Sequence, residues 1–182
     1  MTFKTFLSTA TAIALGTAVY AANPTVGGAP MLVERNIIEN AVNSPVHTTL
    51  VAAVKAADLV ETLQGPGPFT VFAPVNDAFA ALPAGTVDTL LMPENKAMLQ
   101  KVLTAHVVAG DWSAADIIAA ARASKDGFYH FNAVSGDALS AQVKGKNVYI
   151  IDESGNAARV TVADVDQSNG VIHVINAVLV PK

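Results

Sequence analysis

The sequence predicts an α+β fold, in which a largely antiparallel sheet or small sandwich is joined to a helical layer. Three observations predict it. Apolar residues recur at helical spacing through the first half of the chain, as in Ile37, Ile38, Ala41 and Val42. Beyond Ser124 the period falls to two, and turn signals separate the alternating runs. Helices thus dominate the first half and strands the second, an order that argues against alternating βαβ units, and no internal repeat is visible, so this is one copy of one module.

Composition narrows the class further. Of 182 residues, 52% are hydrophobic and 14% charged. Part of that apolar excess sits at the start, where Lys4 precedes a run from Phe6 to Val19 that ends in small residues. This pattern predicts a signal peptide over residues 1–22, cut after Ala21 or Ala22. A membrane anchor is the alternative, but the run is shorter and more polar than the roughly 20 apolar residues a spanning helix needs. The mature chain is therefore expected to be exported, to a periplasmic or extracellular location, with no transmembrane segment. Cysteine is absent, which excludes disulfides, thiolate metal sites and a lipid-modified cysteine. Fifteen acidic against eleven basic residues give a formal charge of −4. With no basic stripe or cluster, a nucleic-acid partner is not expected.

The elements follow in order. Residues 23–34 are rich in Gly and Pro and read as a mobile leader. ERNIIENAV is helical and stops at Ser44-Pro45. TTLVAAVKAADLVETLQG reads as two short helices, with Thr48 capping the first, Asp58 and Glu61 at capping-box spacing for the second, and Gly65 giving a left-handed exit. GPGP has the glycines of a phosphate loop, but its prolines remove amide donors, so it reads as a turn. In FTVFAPVNDAF, β-branched and aromatic residues alternate as in a strand covered on both faces, and Pro74 ends the pairing. Asn76 then caps the next helix, Asp77 sits near its positive end, and Phe79 points inward. LPAGTVDTLL is a further short helix. Pro93 opens PENKAMLQKVLTAH, where Met98, Leu99, Val102, Leu103 and His106 share a face. Ser113 with Asp116 caps ADIIAAARA. The strands expected beyond are FYHFNAV, ALSAQV, NVYII, ARVTVADV and VIHVINAVLV. The last is apolar on both faces apart from His173 in one set and Asn176 in the other, and a buried histidine requires hydrogen-bond partners.

Three ordered segments carry a resemblance. TVFAPVNDAF, HVVAG and NGVIHVINAVLVP resemble the hallmark segments of a fasciclin-type domain, and the likeness runs from about Asn36 to Pro181. The chain is most similar to the single-domain secreted bacterial type, with the domain at 35–182. The resemblance implies a β-sandwich-like wedge with a helical layer, in which the first and last segments pair near the centre. It also implies a non-enzymatic, extracellular adhesion or surface-interaction role, without a cofactor. The partner would be an extracellular or cell-envelope protein or polysaccharide, met by a monomeric chain. Adhesion in animal members is attributed to an Asp-Ile pair before the last strand and to a Tyr-His segment. Here Asp164-Val165 and Ala105-His106 stand at those positions, so Asp164, Val165 and His106 are the candidate contacts. Ala109 replaces a usual Pro, and Asn176 a usual Asp.

Other chemistry fits less well. No GxSxG elbow is present, and no Ser, His and Asp fall in a recognisable order. The run from Asp164 to Gly170 resembles a calcium loop, but its glycine comes one position late and Ile175 stands at the final ligand position. His47, His106, His130 and His173 form no close metal pair, and Asp152-Glu153 reads as a solvated hairpin end. The alternative function is a carrier of a small apolar ligand, carotenoid- or lipid-like. Phe128, Tyr129, Phe131 and His130 would then line its groove.

Overall fold

A computed structural model describes residues 24–182. The expected signal peptide lies outside the described residues. Seven strands form one mixed, nearly closed sheet in the order β4-β3-β9-β8-β7-β6-β5. At its centre, β3 (Phe69–Pro74) lies parallel to β9 (Gly170–Ile175), with Phe72 opposite His173. The remaining pairs of this sheet are antiparallel, joining β4 (Val107–Ala109), β5 (Phe128–Asn132), β6 (Ala138–Lys144), β7 (Asn147–Ile151) and β8 (Ala157–Gln167). The architecture is α+β, as expected, and the two hallmark segments do pair.

Alternation along β3 and β9 divides the interior in two. Val71, Ala73, Ile172 and Val174 face a core shared with the helices, whereas Phe72 and Ile175 face a second core under the other half of the sheet. Successive side chains of a strand point to opposite faces, so strands apolar on both sides can seat two cores at once. The helical layer comprises α1 (Ile37–Asn43), α2 (Thr48–Ala56), α3 (Val60–Gln64), α4 (Asn76–Ala80), α5 (Thr86–Leu90) and α6 (Lys96–Thr104). A seventh helix, α7 (Ala114–Ala123), packs on β5 and β6 and contributes Ile117 to the second core. Its capping box is the one expected, with Ser113 and Asp116 exchanging side-chain and backbone bonds.

Several expectations are corrected. The leader is not loose: β1 (Thr25–Val26) and β2 (Ala29–Pro30) form a small hairpin, and Val26 and Met31 are each 3% exposed in the helical core. Wholly buried Asn40 explains the docking. Its amide accepts from Leu32 N–H, donates to the Leu32 carbonyl and reaches Gln167 on β8. Thr48 is the first residue of α2 rather than its cap. Asp58 adopts a left-handed conformation, φ 54°, and pairs with Lys96, so α3 starts without a capping box. Gly65 leaves α3 in an extended conformation, φ −63°. Met98 falls off the buried face of α6 and is 59% exposed. The last strand stops at Ile175, leaving Asn176 exposed beyond it.

Glycine is required where the two hallmark segments begin. Gly170 opens β9 at φ +151°, and a Cβ there would lie 1.9 Å from the Phe69 carbonyl oxygen. No side chain fits that gap.

Candidate functional site

The residues singled out from the sequence fall into a scaffold group around β3, β9 and the turns they meet. Asn76 lies in the first turn of α4, whose cap is Val75 with no side-chain bond. Its side chain turns instead to the start of α2. Oδ1 accepts from Thr49 N–H at 3.0 Å and from the Thr48 hydroxyl at 3.2 Å, and Nδ2 donates to the Pro45 carbonyl at 3.1 Å. Asn76 therefore caps a helix that begins earlier in the chain, which corrects the local cap expected. Asp77 is exposed in the first turn of α4, and Phe79 is buried in the helical core.

His106 and His173 are enclosed, at 2% and 1% exposure. His106 Nε2 accepts the Leu179 amide at 2.9 Å and Nδ1 faces the Val102 carbonyl at 2.7 Å. An acceptor on one nitrogen and a donor on the other define a neutral ring carrying its proton on Nδ1. Burial pushes its pKa down to about 4, against the pull of the Val102 carbonyl and the Asp152 carboxylate. His173 has the opposite tautomer. Its Nδ1 accepts from Asp164 N–H at 3.3 Å, and Nε2 donates to the Trp112 carbonyl at 2.8 Å. Burial lowers its pKa as well, and the ring stacks on Phe72 at 5.7 Å between centroids.

Asp164 and Val165 part company. β8 shifts register between Val160 and Val165 as it runs along β9, and Asp164 occupies the left-handed region at φ 54°. Asp164 is exposed and its Oδ1 accepts the Ala114 amide at 2.7 Å, holding the start of α7. Val165 is 0% exposed in the helical core. The candidate contacts His106 and Val165 are thus internal, and neither side chain reaches a partner in this conformation. Asn176, also structural, accepts Arg159 N–H at 2.8 Å through its side chain and donates its own amide to the Arg159 carbonyl at 3.1 Å.

The aromatic residues weighed as ligand-lining form a packed row. Trp112 meets Tyr129 at 5.5 Å, Tyr129 meets Phe131 at 5.3 Å, and Phe131 meets Phe72 at 6.0 Å. The cavity they border is about 10 Å³. A second interior cavity, beneath α1 and α2 and bordered by His47, is about 40 Å³. Roughly 10–15 Å³ holds one water, so both are far below the size of a carotenoid. His130 lies on the open surface, between the Ser140 hydroxyl at 2.9 Å and Asp126 at 2.8 Å. The Asp126 carboxyl is held below the ordinary range first by the Ser124 hydroxyl, then by His130 and the Phe128 amide. This Ser–His–Asp row is not legible in the sequence, because Ser140 meets His130 only once β5 and β6 pair. With the His130 and Asp126 side chains 62% and 53% exposed, it lies in water, which screens the carboxylate.

The larger concavity lies elsewhere. A groove of about 530 Å³ runs between α5, α6 and the segment after β9, lined by Leu82, Leu90, Met98, Val178 and Val180 among others. Its charged lining groups are Lys101 and Lys182. Lys101 also leans on Asp137 at 3.4 Å and on the Lys182 carbonyl.

Comparison with known proteins agrees with this scaffold. The family model described as the fasciclin domain matches residues 45–181, and the chain belongs to that family. It is 54% identical over 145 residues to Protein sll1483 of Synechocystis sp., an alignment covering 80% of this chain and 73% of the relative. It is 33% identical over 173 residues to Immunogenic protein MPB70 of Mycobacterium bovis, covering 91% of this chain and 80% of that one. Among solved structures, a FAS1 domain pair from the insect cell adhesion molecule Fasciclin I superposes with a TM-score of 0.70 at 18% identity. That match takes in 84% of this chain but only 52% of the pair, and it speaks for the fold alone.

Proposed function

We propose that this protein is an exported, non-enzymatic surface-interaction module that adheres to a protein or polysaccharide of the cell envelope or its surroundings. One observation carries the reading. Both ring nitrogens of His106 and of His173 are committed to backbone groups, so the hallmark segments spend their chemistry on holding the fold. A buried, neutral, fully bonded histidine is a poor general base, because its pKa lies well below the pH at which it would work. Partner contact on this reading falls to exposed side chains outside the hallmark core, and Asp164, whose second carboxylate oxygen is not used by Ala114, belongs to that exposed set.

The test is co-sedimentation of the purified mature chain with envelope fractions of its own host. Saturable binding, released by competing unlabelled chain, is the expected result. Absence of saturable binding to every fraction overturns the reading.

A further inference from the structure

The sheet from β5 to β8 has two unlike faces. Leu139, Ala141, Val148, Ile150 and Ala158 turn inward to the second core, on the side where α7 supplies Ile117, so the residues alternating with them face outward. Register sets four of these in one row across the strands. Phe128 lies opposite Gln142, Gln142 opposite Tyr149, and Tyr149 opposite Arg159. Phe128 and Tyr149 are half-buried, and with one strand between them their backbones stand about 9–10 Å apart.

Cations gather around the second ring. Arg159 closes the row, Lys144 ends β6, and Lys146 follows in the turn to β7. Arg159 joins the two lysines only through the pairing of β7 with β8, which is why the sequence shows no cluster. All three are exposed, and none forms an ion pair among the described residues. The Lys144 ammonium lies 5.6 Å from the centre of the Tyr149 ring, a contact weak enough at an exposed site to yield to a ligand. Asp126, two residues before Phe128, is the acid on the neighbouring strand, and it is already engaged by Ser124, His130 and the Phe128 amide. In a chain of formal charge −4, uncommitted cations beside two aromatic rings complement an anion with an apolar face.

A sugar acid has that chemistry. One face of a pyranose ring is a patch of C–H groups that stacks on an aromatic side chain, its rim of hydroxyls bonds to amides, and a uronate adds a carboxylate that a guanidinium takes in bidentate fashion. A peptide would seek an open strand edge or an apolar groove, and this row crosses the strands on a face. A membrane would draw in an amphipathic helix with its apolar side out, whereas these rings stand half-buried on strands. Resting on the surface-module reading above, we propose that the outer face of β5–β8 binds an acidic polysaccharide built of uronate sugars. Sugar rings stack on Phe128 and Tyr149, Gln142 between them bonds a hydroxyl, and carboxylates sit at Arg159, Lys144 and Lys146. The polysaccharide lies along the row, across the strands.

Calorimetric titration of the purified mature chain with a short oligogalacturonate tests the site. Saturable binding that weakens with added salt is expected. Arg159→Glu should bind about tenfold more weakly, and Lys146→Glu and Tyr149→Ser several-fold more weakly, while Tyr149→Phe, which keeps the ring, should bind as the wild type does. Arg159 and Lys146 are exposed, so their variants should retain wild-type Trp112 emission and melting even where Tyr149→Ser does not. No saturable binding, binding indifferent to Arg159→Glu, or equal binding of a neutral oligogalactoside overturns the assignment. Dextran sulfate bound as tightly as the oligogalacturonate, with no loss in Tyr149→Ser, shows a patch that reads charge alone and overturns it too. Phosphatidylglycerol vesicles or a DNA oligomer bound through Arg159, where the oligogalacturonate is not, reassign the face and overturn the sugar site. Envelope co-sedimentation separates the two levels. A wild-type chain that sediments with the envelope but ignores the oligogalacturonate loses this site and keeps the surface-module reading; one that binds no envelope fraction loses that reading itself.

Discussion

The side-chain oxygen of Asn76 accepts the backbone N–H of Thr49 at 3.0 Å, so a residue just past strand β3 caps a helix that begins 28 positions earlier. The same side chain donates to the Pro45 carbonyl. Asn76, just after the first hallmark strand, is thereby a clasp between α4 and the start of α2.

Asn76→Ala removes that cap and leaves the Thr49 amide, the Thr48 hydroxyl and the Pro45 carbonyl without their partner. A lost cap costs about 1 kcal/mol, and the unpaired half-buried groups raise this towards about 2 kcal/mol. Urea unfolding should show a lower midpoint with an unchanged slope. Asn76→Asp keeps the acceptor and loses the donor, so its midpoint should fall between the two. An Ala variant as stable as the wild type would show that the clasp carries no stability.

Stability should fall as the solution is acidified through the histidine range. His106 has a folded-state pKa of about 4 against 6.5 when free. Between those values the unfolded chain binds the proton and the folded chain does not, so stability is lost as pH drops from about 6.5 and levels off near 4. For His106 alone the loss is on the order of 3 kcal/mol. His47 and His173, both lowered first by burial, add in the same direction. Urea midpoints at pH 7 and pH 5 measure the slope, and His106→Gln should flatten it. A midpoint that rises on acidification would contradict the assignment of neutral rings.

Gly170→Ala should be severely destabilising. Its Cβ would stand 1.9 Å from a backbone oxygen of the paired strand, and neither strand can retreat without breaking the β3–β9 ladder. A loss of about 3 kcal/mol or more places it among the exceptional substitutions. Soluble yield and the thermal midpoint report it. Wild-type melting would mean that the β3–β9 approach is looser than described.

Asp164→Ala loses the bond to the Ala114 amide and puts a less tolerant residue at φ 54°. The expected cost is about 1 kcal/mol, with Asp164→Asn close to neutral because Asn accepts the same bond and tolerates the left-handed region. Trp112, the sole tryptophan, receives the His173 proton on its carbonyl two residues before α7, and its emission should follow the change. Equal stability of the Ala and Asn variants would remove the capping role.

Local signals carried much of this fold. The strand runs, the turns between them and the Ser113–Asp116 box are short-range features, and alternation in both β3 and β9 announced a strand covered on two faces. Long-range choices were out of reach. Which amide Asn76 would meet depends on where α2 packs, and Val165 turned inward because register shifts along β8 re-aim the residues beside Asp164. Spacing puts His106 at the end of the buried stripe of α6, while the resemblance makes it a contact; its ring is 2% exposed. The leader gave no sign of docking, because its anchor, Asn40, is a polar residue on an apolar helix face whose partner Gln167 lies 127 positions away.

On the proposed reading the hallmark segments build the scaffold while partners are met elsewhere. Affinity of His106→Gln for the envelope fraction, measured at a urea concentration below its own unfolding transition, tests it most directly. A lowered unfolding midpoint with wild-type affinity is expected. An unchanged midpoint with lost affinity would contradict it and return His106 to the contact surface.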